Sequence, residues 1–132
     1  MNASAPHRRV FIAEDAPAVR ARLAKLAQEV DGTVLVGEAE TAEAAIEGIL
    51  RTQPDCAILD FHLRGGTGLQ VLRQIRAAGC ECLVIVLTNY PEAAYRAACM
   101  AAGAGWFFDK SSEFGKVQAA LAGVTARSSG RD

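Results

Sequence analysis

Five polar side chains stand at or just after the ends of short apolar runs: Glu14, Asp15, Asp60, Thr88 and Lys110. Runs of this kind are typical of strands buried in a parallel sheet, whose carboxyl ends meet at one edge. Ligands of open parallel sheets bind at that edge. The sequence therefore predicts a site that gathers three carboxylates, one hydroxyl and one ammonium group.

The three carboxylates need a compensating cation, because clustered negative charges repel one another and resist burial. Mg²⁺ fits best, since it prefers hard oxygen ligands and usually takes one or two carboxylates together with phosphate oxygens. The formal charges then balance: minus three from Glu14, Asp15 and Asp60, plus two from the metal and plus one from Lys110.

Apolar runs alternate five times with helical patterns, which predicts an α/β fold with a parallel sheet covered by helices. The predicted strands lie at residues 10–13, 34–36, 56–59, 83–87 and 106–108.

Helices are indicated by apolar residues spaced three or four apart. The first helix is predicted to begin at Pro17 and end at 31–32, with one apolar face made of Val19, Leu23, Leu26 and Val30. The second is predicted at 41–51, with Thr41 as its cap and with Ile46, Ile49 and Leu50 facing the sheet.

The third predicted helix has Thr67 as its cap, carries Leu69, Leu72 and Ile75, and ends at Gly79. The fifth is predicted to begin after Ser112 and to carry Phe114, Val117, Leu121 and Val124. The fourth, at 91–102, offers mostly Ala and Cys with Tyr95 to the core, and we expect it to be the most easily displaced.

Length and charge limit the functions to consider. The 132 residues fit one domain, predicted at 8–126 between flexible tails at 1–7 and 127–132, with no output domain. A net charge of −1, from 14 basic and 15 acidic residues, gives no basic patch and predicts no direct contact with nucleic acid. The sequence shows no signal peptide and no apolar run of membrane-spanning length, so we expect a cytoplasmic protein that does not bind membranes.

Four cysteines, Cys56, Cys80, Cys82 and Cys99, allow two disulfides or a metal site in principle. The pair at 80 and 82 has one intervening residue, whereas zinc sites usually have two to four. The favoured interpretation is that all four are small apolar core residues.

Four segments together resemble the receiver domains of two-component response regulators. They read AED at 13–15, PDCAILD at 54–60, LT at 87–88 and AGAGWFFDK at 102–110, and they extend over nearly the whole chain. The resemblance implies a three-layer, doubly wound (βα)5 fold of the flavodoxin-like type, with five parallel strands in the order 2-1-3-4-5.

The same resemblance implies roles for the site residues. Asp60 would accept a phosphoryl group from a sensor histidine kinase or a phosphotransfer protein, with slow self-catalysed dephosphorylation. Asp15 and Asp60, with the backbone carbonyl of His62, would ligate Mg²⁺, and Glu14 would hold metal-bound water or the metal itself. Lys110 and Thr88 would each contact a phosphoryl oxygen.

Receivers transmit the phosphorylated state through a hydroxyl and an aromatic residue, which correspond here to Thr88 and Phe107. The surface that changes would be helix 4, strand 5 and helix 5, which would contact an unknown downstream protein and which also allows a homodimer. His62 and Tyr90 occupy positions that flank the path of attacking water, and we expect their bulk to slow hydrolysis.

Two positions depart from the commonest pattern of the family. Glu14 stands where Asp is frequent, and Ser111 stands where many receivers have a proline preceded by a cis peptide bond. A cis bond before serine would cost about 3 kcal/mol, so a rebuilt or strained turn is expected there.

Other functions remain to be weighed. The alternative is a degenerate receiver that acts as an interaction module without phosphorylation. A phosphohydrolase of the haloacid dehalogenase type would need a carboxylate where His62 stands, and an acidic rim disfavours a flavin phosphate. The glycine-rich loop at 64–68 lacks the spacing and the lysine of a nucleotide-binding P-loop.

Overall fold

A computed structural model describes residues 8–124. Its five-stranded sheet has the order β2-β1-β3-β4-β5, all parallel, which confirms the predicted order. The strands are β1 (Arg8–Ala13), β2 (Thr33–Ala39), β3 (Cys56–Asp60), β4 (Leu83–Thr88) and β5 (Trp106–Asp109); the helices are α1 (Pro17–Gln28), α2 (Ala42–Thr52), α3 (Gly68–Ala77), α4 (Ala93–Ala101) and α5 (Lys116–Ala122).

The sheet separates two apolar cores, as a doubly wound fold requires. Residues such as Phe11 and Leu59 point into the core beneath α2, α3 and α4, while Ile12 and Ile58 point into the core beneath α1 and α5. All five residues of β3 are buried, which explains its unbroken apolar sequence. Within the described residues, no helix is both long enough and apolar enough to cross a membrane.

Two threonines begin their helices as predicted. The Thr41 hydroxyl accepts a hydrogen bond from the Ala44 amide at 3.0 Å, and the Thr67 hydroxyl accepts one from the Gln70 amide at 3.1 Å. The Gln70 side chain in turn accepts from the Thr67 amide, which completes a capping box. These caps set the first residues of α2 and α3.

The fifth helix begins later than predicted, at Lys116 and not directly after Ser112. The backbone at 113–117 closes i to i+3 turns: the Lys116 amide donates to the Glu113 carbonyl oxygen at 2.9 Å, and the Val117 amide donates to the Phe114 carbonyl oxygen at 3.3 Å. These bonds are those of a 3₁₀-type turn and not of an α-helix. The described peptide bonds are all trans, so the turn after Lys110 is built without the cis bond common in the family.

A short antiparallel ribbon, His62–Leu63 with Gly66–Thr67, follows β3 and was not predicted. It brings Gly68 against the backbone of Asp60, where a Cβ on residue 68 would lie 2.6 Å from the Asp60 carbonyl oxygen. The fourth helix is also shorter than predicted, Ala93–Ala101, and only Cys99 in it is fully buried.

All four cysteines are free and buried, which confirms them as core residues. The predicted tails at 1–7 and 127–132, and the end of the predicted domain at 125–126, lie outside the described residues.

Candidate functional site

The carboxyl edge of the sheet brings together the side chains that the sequence singled out. Lys110 Nζ lies 2.8 Å from Glu14 Oε1 and 3.3 Å from Asp60 Oδ2. Glu14, Asp60 and Thr88 are all buried, and the Lys110 side chain is only 10% exposed. One ammonium group thus bridges two buried carboxylates that arrive from neighbouring strands.

The donor set fits a hard divalent cation. Glu14, Asp15 and Asp60 each offer a carboxylate oxygen, and these oxygens lie within 4.8 Å of one another. Glu14 Oε2 accepts from the Ala16 amide at 3.1 Å, whereas buried Oε1 has no hydrogen bond beyond its ion pair with Lys110. An under-coordinated buried carboxylate oxygen beside two further carboxylates is the chemistry that Mg²⁺ uses.

Burial and neighbouring charges shift the pKa values of Asp60 and Lys110. Burial, followed by the charge of Glu14, raises the pKa of Asp60 to about 7, although Lys110 acts in the opposite direction. Burial lowers the pKa of Lys110, but the hydrogen bond and charge of Glu14 and the charge of Asp60 outweigh it, so the net shift is upward. Lysine stays charged at neutral pH while Asp60 is close to taking up a proton.

Thr88 is the last residue of β4 and is fully buried, directly after Leu87, which pairs with Asp60 of β3. Its hydroxyl oxygen accepts a hydrogen bond from the Tyr90 amide at 2.9 Å. A hydroxyl that accepts in this way keeps its own proton for donation. Thr88 is therefore tied to the loop that leads into α4.

Four aromatic rings form a cluster at the rim of the site. His62 lies edge-on to Tyr90, with 5.3 Å between ring centroids, and Phe61 stacks on Tyr95 of α4 at 4.4 Å. His62 and Tyr90 were expected near the site. Phe61 and Tyr95 were not, because nothing in the local sequence indicates that the loop after β3 meets the start of α4.

Phe107, the predicted switch residue, is 2% exposed and lies in the core beneath α4. The Arg96 guanidinium lies 5.1 Å from its ring centroid and donates to its carbonyl oxygen at 3.2 Å. The flanking residues Trp106 and Phe108 pack against the opposite core.

Sequence reasoning also missed Arg20. Its guanidinium donates to the Glu14 carbonyl oxygen at 2.7 Å and forms ion pairs with Glu38 and Glu40. The available signal was an arginine five residues after Asp15, which sequence alone does not distinguish from a solvated residue of α1.

Comparison with known proteins agrees with this geometry. Residues 10–122 match the response regulator receiver domain family, so the chain belongs to that family. The chain is 30% identical over 103 residues to the transcriptional regulatory protein DesR of Bacillus subtilis (78% of this chain, 51% of DesR) and 28% identical over 115 residues to the response regulator UvrY of Escherichia coli (87% and 53%). A two-component response regulator of the LuxR family from Aurantimonas superposes with a TM-score of 0.79 at 25% identity, covering 92% of this chain and 91% of that one.

The family is one of signalling domains, which bind Mg²⁺ at an acidic pocket and interact with histidine kinases or phosphotransfer proteins. The chain spans about half the length of the curated relatives it matches. Several of these are named as transcriptional regulators, so the expectation that no nucleic acid is bound rests only on the balanced charge of these 132 residues and stays a prediction.

Proposed function

We propose that this protein accepts a phosphoryl group on Asp60 from a sensor histidine kinase or a phosphotransfer protein and signals through the surface of α4, β5 and α5. The observation that carries the proposal is the contact geometry of Asp60: a buried carboxylate with an ammonium group at 3.3 Å, within reach of two further acidic side chains. An isolated structural aspartate has no need of this constellation.

In the proposed reaction, an Asp60 oxygen attacks the phosphorus of a phosphohistidine, the O–P bond forms, the N–P bond breaks, and the imidazole nitrogen keeps the electron pair. Catalysis of such a transfer comes from positioning and from neutralising negative charge. Lys110, already beside Asp60, offers its ammonium to a phosphoryl oxygen. Glu14, Asp15, Asp60 and the His62 carbonyl would hold Mg²⁺, which supplies further positive charge to the transferring group.

Transfer replaces the single charge of Asp60 by about two negative charges. The Thr88 hydroxyl, which keeps its proton, is placed to donate to the new group. Movement of Thr88 would pull on the Tyr90 amide and hence on the loop before α4. Arg96 of α4 lies over the ring of Phe107 in β5, so a displacement of α4 would change this contact. The contact supports the surface of α4, β5 and α5 as the site of partner binding.

Intact mass spectrometry tests the proposal. Incubation with Mg²⁺ and either a purified histidine kinase with ATP or a small acyl phosphate should add one phosphoryl group, about 80 Da. EDTA should prevent the gain, and so should Asp60→Asn. Asp55→Asn is the matched control, because Asp55 is also a buried carboxylate and lies just before the same strand, away from the site. Its Oδ2 accepts a hydrogen bond from the Arg9 amide. This variant should still be phosphorylated. A folded wild-type protein that gains no mass with either donor would instead be a phosphorylation-independent interaction module.

A further inference from the structure

Arg20 of α1 is a nearly buried arginine that faces the back of the site. Its side chain is 16% exposed, and Nη1 donates to the carbonyl oxygen of Glu14 at 2.7 Å. That carbonyl belongs to the peptide unit that joins Glu14 to Asp15. Arg20 therefore fixes the orientation of the backbone between two of the three candidate metal ligands.

The rest of the guanidinium is held by two carboxylates. Nε lies 3.1 Å from Glu38 Oε1 and Nη2 lies 3.3 Å from Glu40 Oε2. With all three of its donor atoms engaged, the planar guanidinium has one orientation in which every contact is made. The two glutamates thus hold the Arg20 guanidinium in the position from which it donates to the Glu14 carbonyl oxygen.

Glu40 also contacts Arg64, in the loop that follows β3 and carries His62. Its other oxygen lies 3.2 Å from Nη1 of Arg64, and the Arg64 carbonyl accepts from the Ala42 amide at 2.9 Å. Arg64 stands two residues beyond His62, in the loop after β3. Because Arg64 is 65% exposed, this outer pair is screened by solvent and contributes less than the contacts of Arg20.

We infer that Arg20 is a positioning residue for the metal site: held by Glu38 and Glu40, it sets the direction of the Glu14–Asp15 peptide and so the affinity for Mg²⁺. The inference rests on the proposed function. Residues that orient metal ligands from behind typically contribute 10- to 100-fold in metal affinity. We expect Arg20→Gln to weaken Mg²⁺ binding about tenfold.

The direction of the change separates positioning from simple charge. As a nearby positive charge and nothing more, Arg20 would repel Mg²⁺, and its removal would tighten binding. As a positioning residue, its removal loosens binding. Arg20→Lys extends the comparison, since lysine keeps the charge but cannot reach three separate acceptors at once; its affinity should lie closer to that of Arg20→Gln than to that of the wild type.

The experiment is a titration of MgCl₂ into each ¹⁵N-labelled protein, followed by NMR, which reports the dissociation constant and the fold in the same spectra. Arg76→Gln is the matched control. Arg76 also donates to two backbone carbonyls, of Cys80 and Gly103, but at the opposite edge of the sheet, and its loss changes the net charge equally. We expect its dissociation constant to equal that of the wild type.

Three outcomes decide the matter. Wild-type protein that binds no Mg²⁺ contradicts the proposed function itself. Wild-type binding with unchanged or tighter binding by Arg20→Gln, or full recovery by Arg20→Lys, overturns the positioning role. If Arg20→Gln does not fold, Arg20→Lys decides, because it keeps the charge and loses only the three-way contact: a weaker affinity supports the role, and an unchanged one overturns it. Phosphorylation of Arg20→Gln should recover towards the wild-type rate at saturating Mg²⁺.

Discussion

The raised pKa of Asp60 makes the stability of the folded protein depend on pH. Burial and the neighbouring Glu14 raise its pKa to about 7, from 3.8 for an ordinary aspartate. The folded protein therefore binds a proton between about pH 4 and 7 that the unfolded chain does not bind. By linkage, the contribution of Asp60 to the unfolding free energy falls as pH rises through this window and levels off above it.

We therefore expect urea denaturation of the metal-free protein to give a lower unfolding free energy at pH 8 than at pH 5.5. Asp60→Asn should remove most of this slope and stabilise the protein at pH 8 by about 2–4 kcal/mol, since one pKa unit corresponds to about 1.4 kcal/mol. Saturating Mg²⁺ should also raise stability at pH 8, because the metal binds the ionised carboxylates. A pH slope that is the same in Asp60→Asn and wild type would assign the effect to other groups.

Tyr90 and His62 meet across the mouth of the site, with ring centroids 5.3 Å apart. Tyr90 is 57% exposed, so its ring contributes little to the core. We expect Tyr90→Ala to shorten the lifetime of the phosphorylated protein about three- to tenfold, in keeping with easier access for water. Phosphate release after removal of the donor measures this, and Tyr90→Phe, which keeps the ring, should retain the wild-type lifetime. Equal lifetimes in the alanine variant and the wild type would show that the ring does not limit water access.

At the scale of elements, α4 is held by a few contacts at its first turns. Only Cys99 in it is fully buried, while Tyr95 stacks on Phe61 and Arg96 lies over Phe107. Phe61 directly follows Asp60, so the Tyr95 stack joins α4 to the loop that carries the proposed phosphoacceptor. A helix attached in this way can shift without disturbing the sheet.

We expect Tyr95→Ala to raise the rate of amide exchange in α4 while α2 and α3 keep their protection. The aromatic pair is worth about 0.5–1.5 kcal/mol beyond its buried area, so exchange of the α4 amides should accelerate roughly threefold to tenfold. Hydrogen–deuterium exchange with peptide resolution measures this, and Tyr95→Phe serves as the control because the stack survives. Faster exchange spread evenly over the domain would mean that the stack supports the whole fold and not α4 in particular.

The elements predicted correctly are those whose sequence carries a local signal. Strand β3 has an almost continuous apolar sequence because both its faces are buried. Thr41 and Thr67 are local signals for the start of the helices that they cap. The late start of α5 was missed because the spacing of Phe114 and Val117 fits both an α-helix and the i to i+3 turns that the Lys116 and Val117 amides close ahead of it.

For the whole molecule, the alternation of strands and helices predicted the parallel sheet and with it the meeting of Glu14, Asp15, Asp60 and Lys110 at one edge, while the strand order came from the resemblance to receiver domains. Parallel strands bring their carboxyl ends together whatever the loops contain. Contacts between loops were not predictable. The Arg20 contacts with Glu38 and Glu40, and the stack of Phe61 on Tyr95, join segments that are distant in sequence and share no periodicity.

The four buried thiols report how the whole domain opens. Burial raises the pKa of Cys82 to about 12 and also raises the pKa of Cys56 and Cys99, so few thiolates form in the native state. Because the thiolate is the reactive form, alkylation at pH 8 must wait for an opening that exposes the side chain. The order of labelling then follows the stability of each element.

Cys99 lies on the weakly anchored α4 and Cys56 on the central strand β3. We expect iodoacetamide to label Cys99 at least tenfold faster than Cys56, since local openings cost less free energy than the global unfolding that β3 requires. Peptide mapping after timed labelling measures the two rates, and Tyr95→Ala should accelerate Cys99 alone. Equal rates at both cysteines would mean that α4 opens only when the sheet does, and the displacement of α4 proposed here as the output of phosphorylation would then have no low-energy route.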